Sequence, residues 1–158
     1  MKAVILLLTV GIILSVTSCS KDTSTSGNAN LNTYTYNVNP NGWSVEAGVQ
    51  NSFYTTINGT ATNTNDVVIV YIKLPQDPSG SWRALPTSNV IKIGDMMSYV
   101  FDYGGVLINY YDSTAITQSV VFEVAVISPA IIRQNPNTNW NDYSKVKAII
   151  SNQNINKN

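Results

Sequence analysis

A two-residue alternation of apolar and polar side chains runs through most of this chain, and it limits the fold more than any other feature. Tyr34, Tyr36 and Val38 alternate with Thr35 and Asn37. After the turn signal Asn39-Pro40-Asn41-Gly42, the residues Trp43, Val45, Ala47 and Val49 alternate with Ser44, Glu46 and Gly48. Phe53, Thr55 and Ile57 continue the pattern, as do Met97, Tyr99, Phe101 and Tyr103, then Val106, Ile108 and Tyr110. Val67 to Leu74 is apolar on both faces until Lys73 and reads as a central strand, with Trp82 to Leu85 returning as its hairpin partner. Val90-Ile91-Lys92-Ile93 reads as a short strand, and Val120, Phe122, Val124 and Val126 as the last long one. About eight or nine short strands, with turn signals every eight to twelve residues or so, predict an all-β chain. The expected architecture is an antiparallel β-sandwich, Ig-like in general shape. No long helical pattern separates the strands, so a parallel βαβ arrangement is not expected.

The tail changes period. Pro129 to Arg133 reads as a short helical turn and Asn135-Pro136-Asn137-Thr138-Asn139 as a loop. Tyr143, Val146, Ile149 and Ile150 then share one helical face. Asn141 or Asp142 can serve as N-cap. The spacing predicts a C-terminal helix over about 141–151, packed on the sandwich.

Composition excludes several chemistries. Charged residues make up 11% of the chain, nine of each sign, so there is no basic footprint for nucleic acid. The chain has no His, which removes the commonest general base and zinc ligand. It has one Cys, so no intrachain disulfide or Cys-rich metal site can form. No cofactor or metal is expected, and the fold must be held by core packing.

That one cysteine is placed informatively. Lys2 supplies a positive start, and Ala3 to Leu14 is an apolar run interrupted by Thr9 and Gly11. The run suits an export signal and is shorter than the ~20 residues a membrane-spanning helix needs. Val16-Thr17-Ser18-Cys19 follows and resembles the bacterial lipobox: aliphatic, small, small, then Cys. The resemblance implies a diacylglycerol thioether on Cys19, cleavage before it, and acylation of the new amino terminus. Two or more acyl chains give firm anchoring. The expected organisation is a signal peptide over 1–18, a lipid-anchored flexible tether over 19–33, and the sandwich domain with its helix over 34–158. The tether is nearly free of apolar residues. Its root-mean-square reach is about 20 Å.

With these residues in view, the chain resembles small lipoproteins of Bacteroidota-type bacteria. The residues that carry the likeness are the Val16–Asp22 start, Asn41-Gly42-Trp43, Val70-Tyr71, Ser81-Trp82-Arg83-Ala84-Leu85-Pro86, and the tail from Asn135-Pro136-Asn137 to Tyr143 and Val146. The resemblance implies a place in the cell envelope, lipid-anchored to the outer membrane, with exposure at the cell surface left open. It implies no active-site residues.

Candidate chemistry lies in carboxylates and aromatics. Glu46 falls on the polar side of its run, as a solvated side chain would. Glu123 has apolar neighbours Val121, Ala125 and Ile127, so partial burial is expected, with pairing to Lys or Arg a better reading than catalysis. The Asp residues at strand ends read as cap and turn groups, because no calcium-loop spacing is present. Asp112-Ser113-Thr114 resembles an O-glycosylation acceptor of Bacteroidota, but an ordinary turn is the better reading. Trp82, Tyr103, Tyr110 and Tyr111 are the candidate binding residues, on the reading that some form a stacking platform for sugars. Core placement is the common fate of such rings, and adjacent Tyr110 and Tyr111 must point to opposite faces. The leading functional expectation is a non-enzymatic binding or structural domain held to membrane lipid through acylated Cys19. Its candidate partner is a glycan or another envelope protein. The alternatives are a carbohydrate-binding module and, less favoured because glutamates are so few, a carboxylate-based glycan hydrolase.

Overall fold

The computed structural model describes residues 30–58, 60, 63–73, 81–102 and 104–155. The expected signal peptide, Cys19 and Tyr103 lie outside the described residues. Nine strands and two helices follow one another: β1 (Leu31–Val38), β2 (Ser44–Val45), β3 (Ser52–Asn58), β4 (Val67–Lys73), β5 (Arg83–Ala84), β6 (Thr87–Ser88), β7 (Met96–Asp102), β8 (Gly105–Tyr111), β9 (Val120–Ile127), α1 (Pro129–Gln134) and α2 (Tyr143–Ile155). They build two antiparallel sheets, a four-stranded one in the order β1-β9-β4-β5 and a five-stranded one in the order β2-β3-β8-β7-β6. This is the antiparallel all-β sandwich that the alternation predicts.

The period-two pattern sorts each strand between layers. Val120, Phe122, Val124 and Val126 of β9 face the second sheet, together with Val68, Val70 and Ile72 of β4. Ile57, Met97, Val106, Ile108 and Tyr110 meet them from the other side. Tyr99 crosses the core, its hydroxyl donating to the Val68 carbonyl at 2.7 Å. The outer face of the four-stranded sheet carries Ile69, Tyr71, Ala125 and Ile127, and Leu31 extends it along β1. Both helices cover that face, with Ile131 of α1 and Val146 of α2 buried in it. β4 and β9 are therefore buried on both sides, which explains their near-continuous apolar sequence.

Local chemistry fixes the helix starts. The Asp142 carboxylate accepts the Ser144 backbone N–H at 3.0 Å, so Asp142 is the N-cap of α2. Pro129 opens α1, where a missing N–H costs nothing. The Ser128 hydroxyl before it accepts from the Asn30 N–H at 3.1 Å and ties the start of β1 to the end of β9.

Three details differ from the sequence reading. Strand β1 begins at Leu31 rather than at Tyr34, because Leu31 pairs with Ile127 and packs under the helices. The segment from Trp43 to Val49 holds only the two-residue strand β2. A turn follows in which Gly48 takes a left-handed φ of 82° and Glu46 accepts from the Ser52 hydroxyl at 2.7 Å. Val90 to Ile93 is no strand. It is a turn wrapped around the Asp95 carboxylate, and Ile93 is 94% exposed on it.

Candidate functional site

The polar side chains of the domain gather in two buried clusters and one open face. The first cluster lies between the four-stranded sheet and α2. Glu123 points to that side from the middle of β9 and is only 7% exposed. Its partner is neither Lys nor Arg but the Tyr143 hydroxyl of α2, which donates to Oε2 at 2.7 Å. Tyr71, on the neighbouring strand, donates its hydroxyl to the Trp140 carbonyl just before α2. The Tyr71 and Tyr143 rings meet edge-on, with centroids 5.2 Å apart. Trp82 lies over the other side of Tyr143 at 4.9 Å, and the Lys73 ammonium stands 5.9 Å from its ring. These bonds fasten the helix to the sheet.

The second cluster holds the turn after β6. Asp95, 1% exposed, accepts backbone N–H groups of Val90 at 2.6 Å, Ile91 at 2.8 Å and Lys92 at 3.0 Å. The Tyr110 hydroxyl bridges Asp95 and Asp112, at 3.2 and 3.0 Å. Lys92 closes the set with an ion pair to Asp112 at 2.7 Å and a bond to the Thr114 hydroxyl at 3.0 Å. Ser113 and Thr114 both donate to the Asp112 carboxylate, at 3.1 and 3.4 Å. Asp112-Ser113-Thr114 thus forms a hydrogen-bonded turn. Among the described residues, no group of three or more His, Cys, Asp or Glu side chains is placed to hold a metal ion.

The open face is the outer side of the five-stranded sheet. No helix covers it. Its rows follow from the register: Tyr54 and Ser98 flank Asn109, Ser52 and Met96 flank Tyr111, and Thr56 and Val100 flank Leu107. Val100 is 61% exposed, and Met96, Leu107 and Tyr111 are also exposed. At the turn end, a hollow of about 400 Å³ is lined by Thr56, Asn58, Val100, Phe101 and Leu107. Gly105 closes its floor, where a Cβ would come within 2.3 Å of the Ile57 carbonyl oxygen, so only glycine lets β8 run this close to β3.

Of the aromatic residues selected from the sequence, Tyr103 lies outside the described residues, and Trp82, Tyr110 and Tyr111 are not brought together. Trp82 lies in the helix-covered layer, half-buried against Tyr143. Tyr110 lies in the core between the sheets, against Trp43 and Phe53. Tyr111 alone reaches the open face. Tyr54, which the sequence reading passed over, shares that face. The alternation carries the signal for it: Phe53, Thr55 and Ile57 share one face, so Tyr54 between them points to the other.

No protein family, no curated protein and no solved structure matches this chain. Any functional reading therefore rests on the chain's own residues. Among the described residues no helix is long and apolar enough to cross a membrane.

The buried phenols make the fold sensitive to alkali. Burial raises the Tyr71, Tyr110 and Tyr143 hydroxyls well above 10.0, and hydrogen bonds to Asp112 and Glu123 add to the effect for Tyr110 and Tyr143. A phenol whose pKa is higher folded than unfolded adds stability that is complete below the unfolded value and lost as pH rises past it. The domain should therefore weaken above about pH 10. In an absorbance titration, these rings should ionise together with loss of the β-sheet circular dichroism. Ionisation of all nine tyrosines near pH 10 with the dichroism intact would contradict the assignment. Asp112 has the opposite sign, because Lys92 holds its carboxyl below the usual range. Its contribution is in place above 3.8 and drains away as pH falls below that value.

Proposed function

We propose that this chain is a lipid-anchored lipoprotein of the cell envelope, whose domain is a non-enzymatic binding or structural module. The observation that carries the structural half is the contrast between the two sheets. One is sealed by helices, and its polar groups are consumed in fastening them. The other presents, among the described residues, a face with no helix on it that carries Tyr54, Thr56, Met96, Ser98, Val100, Leu107 and Tyr111, with the Glu46 carboxylate at its Ser52 end. An uncovered patch of apolar and aromatic side chains, rimmed by hydroxyls and amides, is the usual mark of a contact surface. The anchoring half rests on the lipobox-like Val16-Thr17-Ser18-Cys19. It is tested by phase partition of the protein expressed in a lipoprotein-processing bacterium. The wild type should enter the detergent phase and Cys19→Ala should not. A Cys19→Ala protein that still partitions into detergent at the mature mass would rule the anchor out.

A second reading is favoured by Tyr54 and Tyr111 in adjacent rows of the open face, with Asn109 beside both. Two rings in adjacent rows suit a neutral glycan through stacking. Substituting both tyrosines with Ala should leave the melt unchanged and abolish retention on a polysaccharide gel. A wild-type protein retained on no glycan would remove this reading and leave a protein contact.

A further inference from the structure

The four sheet edges are unequal. Three are two-residue strands: β5 at one end of the four-stranded sheet, and β2 and β6 at the ends of the other. Short strands are a common way to blunt an edge against unwanted pairing. The fourth edge, β1, is eight residues long and reads Leu-Asn-Thr-Tyr-Thr-Tyr-Asn-Val. It contains no proline and no charged residue, and its pairing with β9 runs unbroken from Leu31↔Ile127 to Val38↔Val120, without a bulge. Among the described residues none of the usual edge defences is present. Alternate residues of such a strand present N–H and C=O groups to the outside, where only another extended strand can satisfy them in register.

We propose that the free edge of β1 pairs with β1 of a second copy of this chain, antiparallel about a two-fold axis at Thr35. The axis preserves the faces of both strands. Thr35 then lies opposite its own copy, and Tyr34 lies opposite Tyr36 on either side. Tyr34 and Tyr36 face the core and are half-buried at its rim, so the added strand finishes their burial with two aromatic pairs, a favourable cross-strand combination. The edge is uncharged and meets its copy without like-charge repulsion, whereas a charged foreign peptide would find no counter-ion on it. Residues 1–29 join the domain at Asn30, ahead of Leu31. In the antiparallel pair the two Asn30 residues lie at opposite ends of a strand about 27 Å long.

The test uses the full chain in mild detergent. Opposed residues in an antiparallel pair have Cα atoms about 4.5–5.5 Å apart, within disulfide range. Thr35→Cys should therefore give a covalent dimer on oxidation, while the unsubstituted chain and Thr117→Cys, at an exposed position after β8, should not. Thr35→Lys places like charges opposite each other and should shift sedimentation from dimer to monomer, with an unchanged melt. The proposal is overturned if the wild type sediments as a monomer, if Thr35→Cys fails to cross-link or captures only a different protein, or if Thr35→Lys remains dimeric.

Discussion

Ending the chain at Gln134 is expected to unfold the domain rather than trim it. The deleted segment carries Val146, fully buried, with Tyr143, Ile149 and Ile150 packed beside it on the outer face of the four-stranded sheet. Burial contributes about 1.5–3 kcal/mol for each large apolar side chain that is fully covered, and less for the partly covered ones. The deletion also removes the Tyr143 hydroxyl from Glu123 and the Trp140 carbonyl from Tyr71. Ile69, Tyr71, Ala125 and Ile127 would lose the cover that α2 gives them, with only α1 left on that face. The total loss is several kcal/mol, against a typical domain stability of about 5–15 kcal/mol. Circular dichroism of the shortened chain should show a lost or strongly lowered melt. A cooperative transition at the wild-type temperature would mean that α2 is an appendage. Tyr143→Phe is the milder variant. It keeps the ring and removes the bond, and should cost about 1–3 kcal/mol.

Asp95→Ala is expected to be the most damaging single polar substitution. One carboxylate satisfies three consecutive backbone N–H groups and the Tyr110 hydroxyl. Alanine leaves the three N–H groups short of a partner, while the Tyr110 hydroxyl keeps its bond to Asp112 at 3.0 Å. Unsatisfied buried groups cost about 1–3 kcal/mol each, with some recovery where water reaches the outer part of the turn. A loss of roughly 3–5 kcal/mol is expected from denaturant melts. Asp95→Asn keeps one acceptor oxygen and turns an NH₂ group toward N–H donors, so it should fall between the two. An Asp95→Ala domain within about 1 kcal/mol of the wild type would show that the turn is held by other contacts.

Both predictions involve places where the sequence was only partly legible. The strands with one face inward were readable, because an inward face repeats every second residue in Tyr34–Val38, Met97–Tyr99 and Val106–Tyr110. The C-terminal helix was readable for the same reason at its own period, and the structure carries it on to Ile155. Val90-Ile91-Lys92-Ile93 misled because its β propensity is real but local. A carboxylate further along the chain captures the N–H groups that a strand would have offered to a neighbour. Glu123 was legible as a buried acid, but its partner was not, because Tyr143 comes from a helix whose docking the sequence does not specify. Adjacent Tyr110 and Tyr111 had to split between faces. Phase with Val106 and Ile108 puts Tyr110 inside, and Tyr111 emerges on the open sheet. Trp82 gave no phase at all, since it precedes a strand of two residues.

Anchoring of the domain through Cys19 is the central claim, and it is tested most directly by mass spectrometry of the amino-terminal peptide of protein extracted from membranes. The account predicts a mature chain that starts at Cys19 and carries a diacylglycerol thioether and an amide-linked acyl chain. A peptide that retains residues 1–18, or one that begins after a conventional cleavage with an unmodified cysteine thiol, would contradict it.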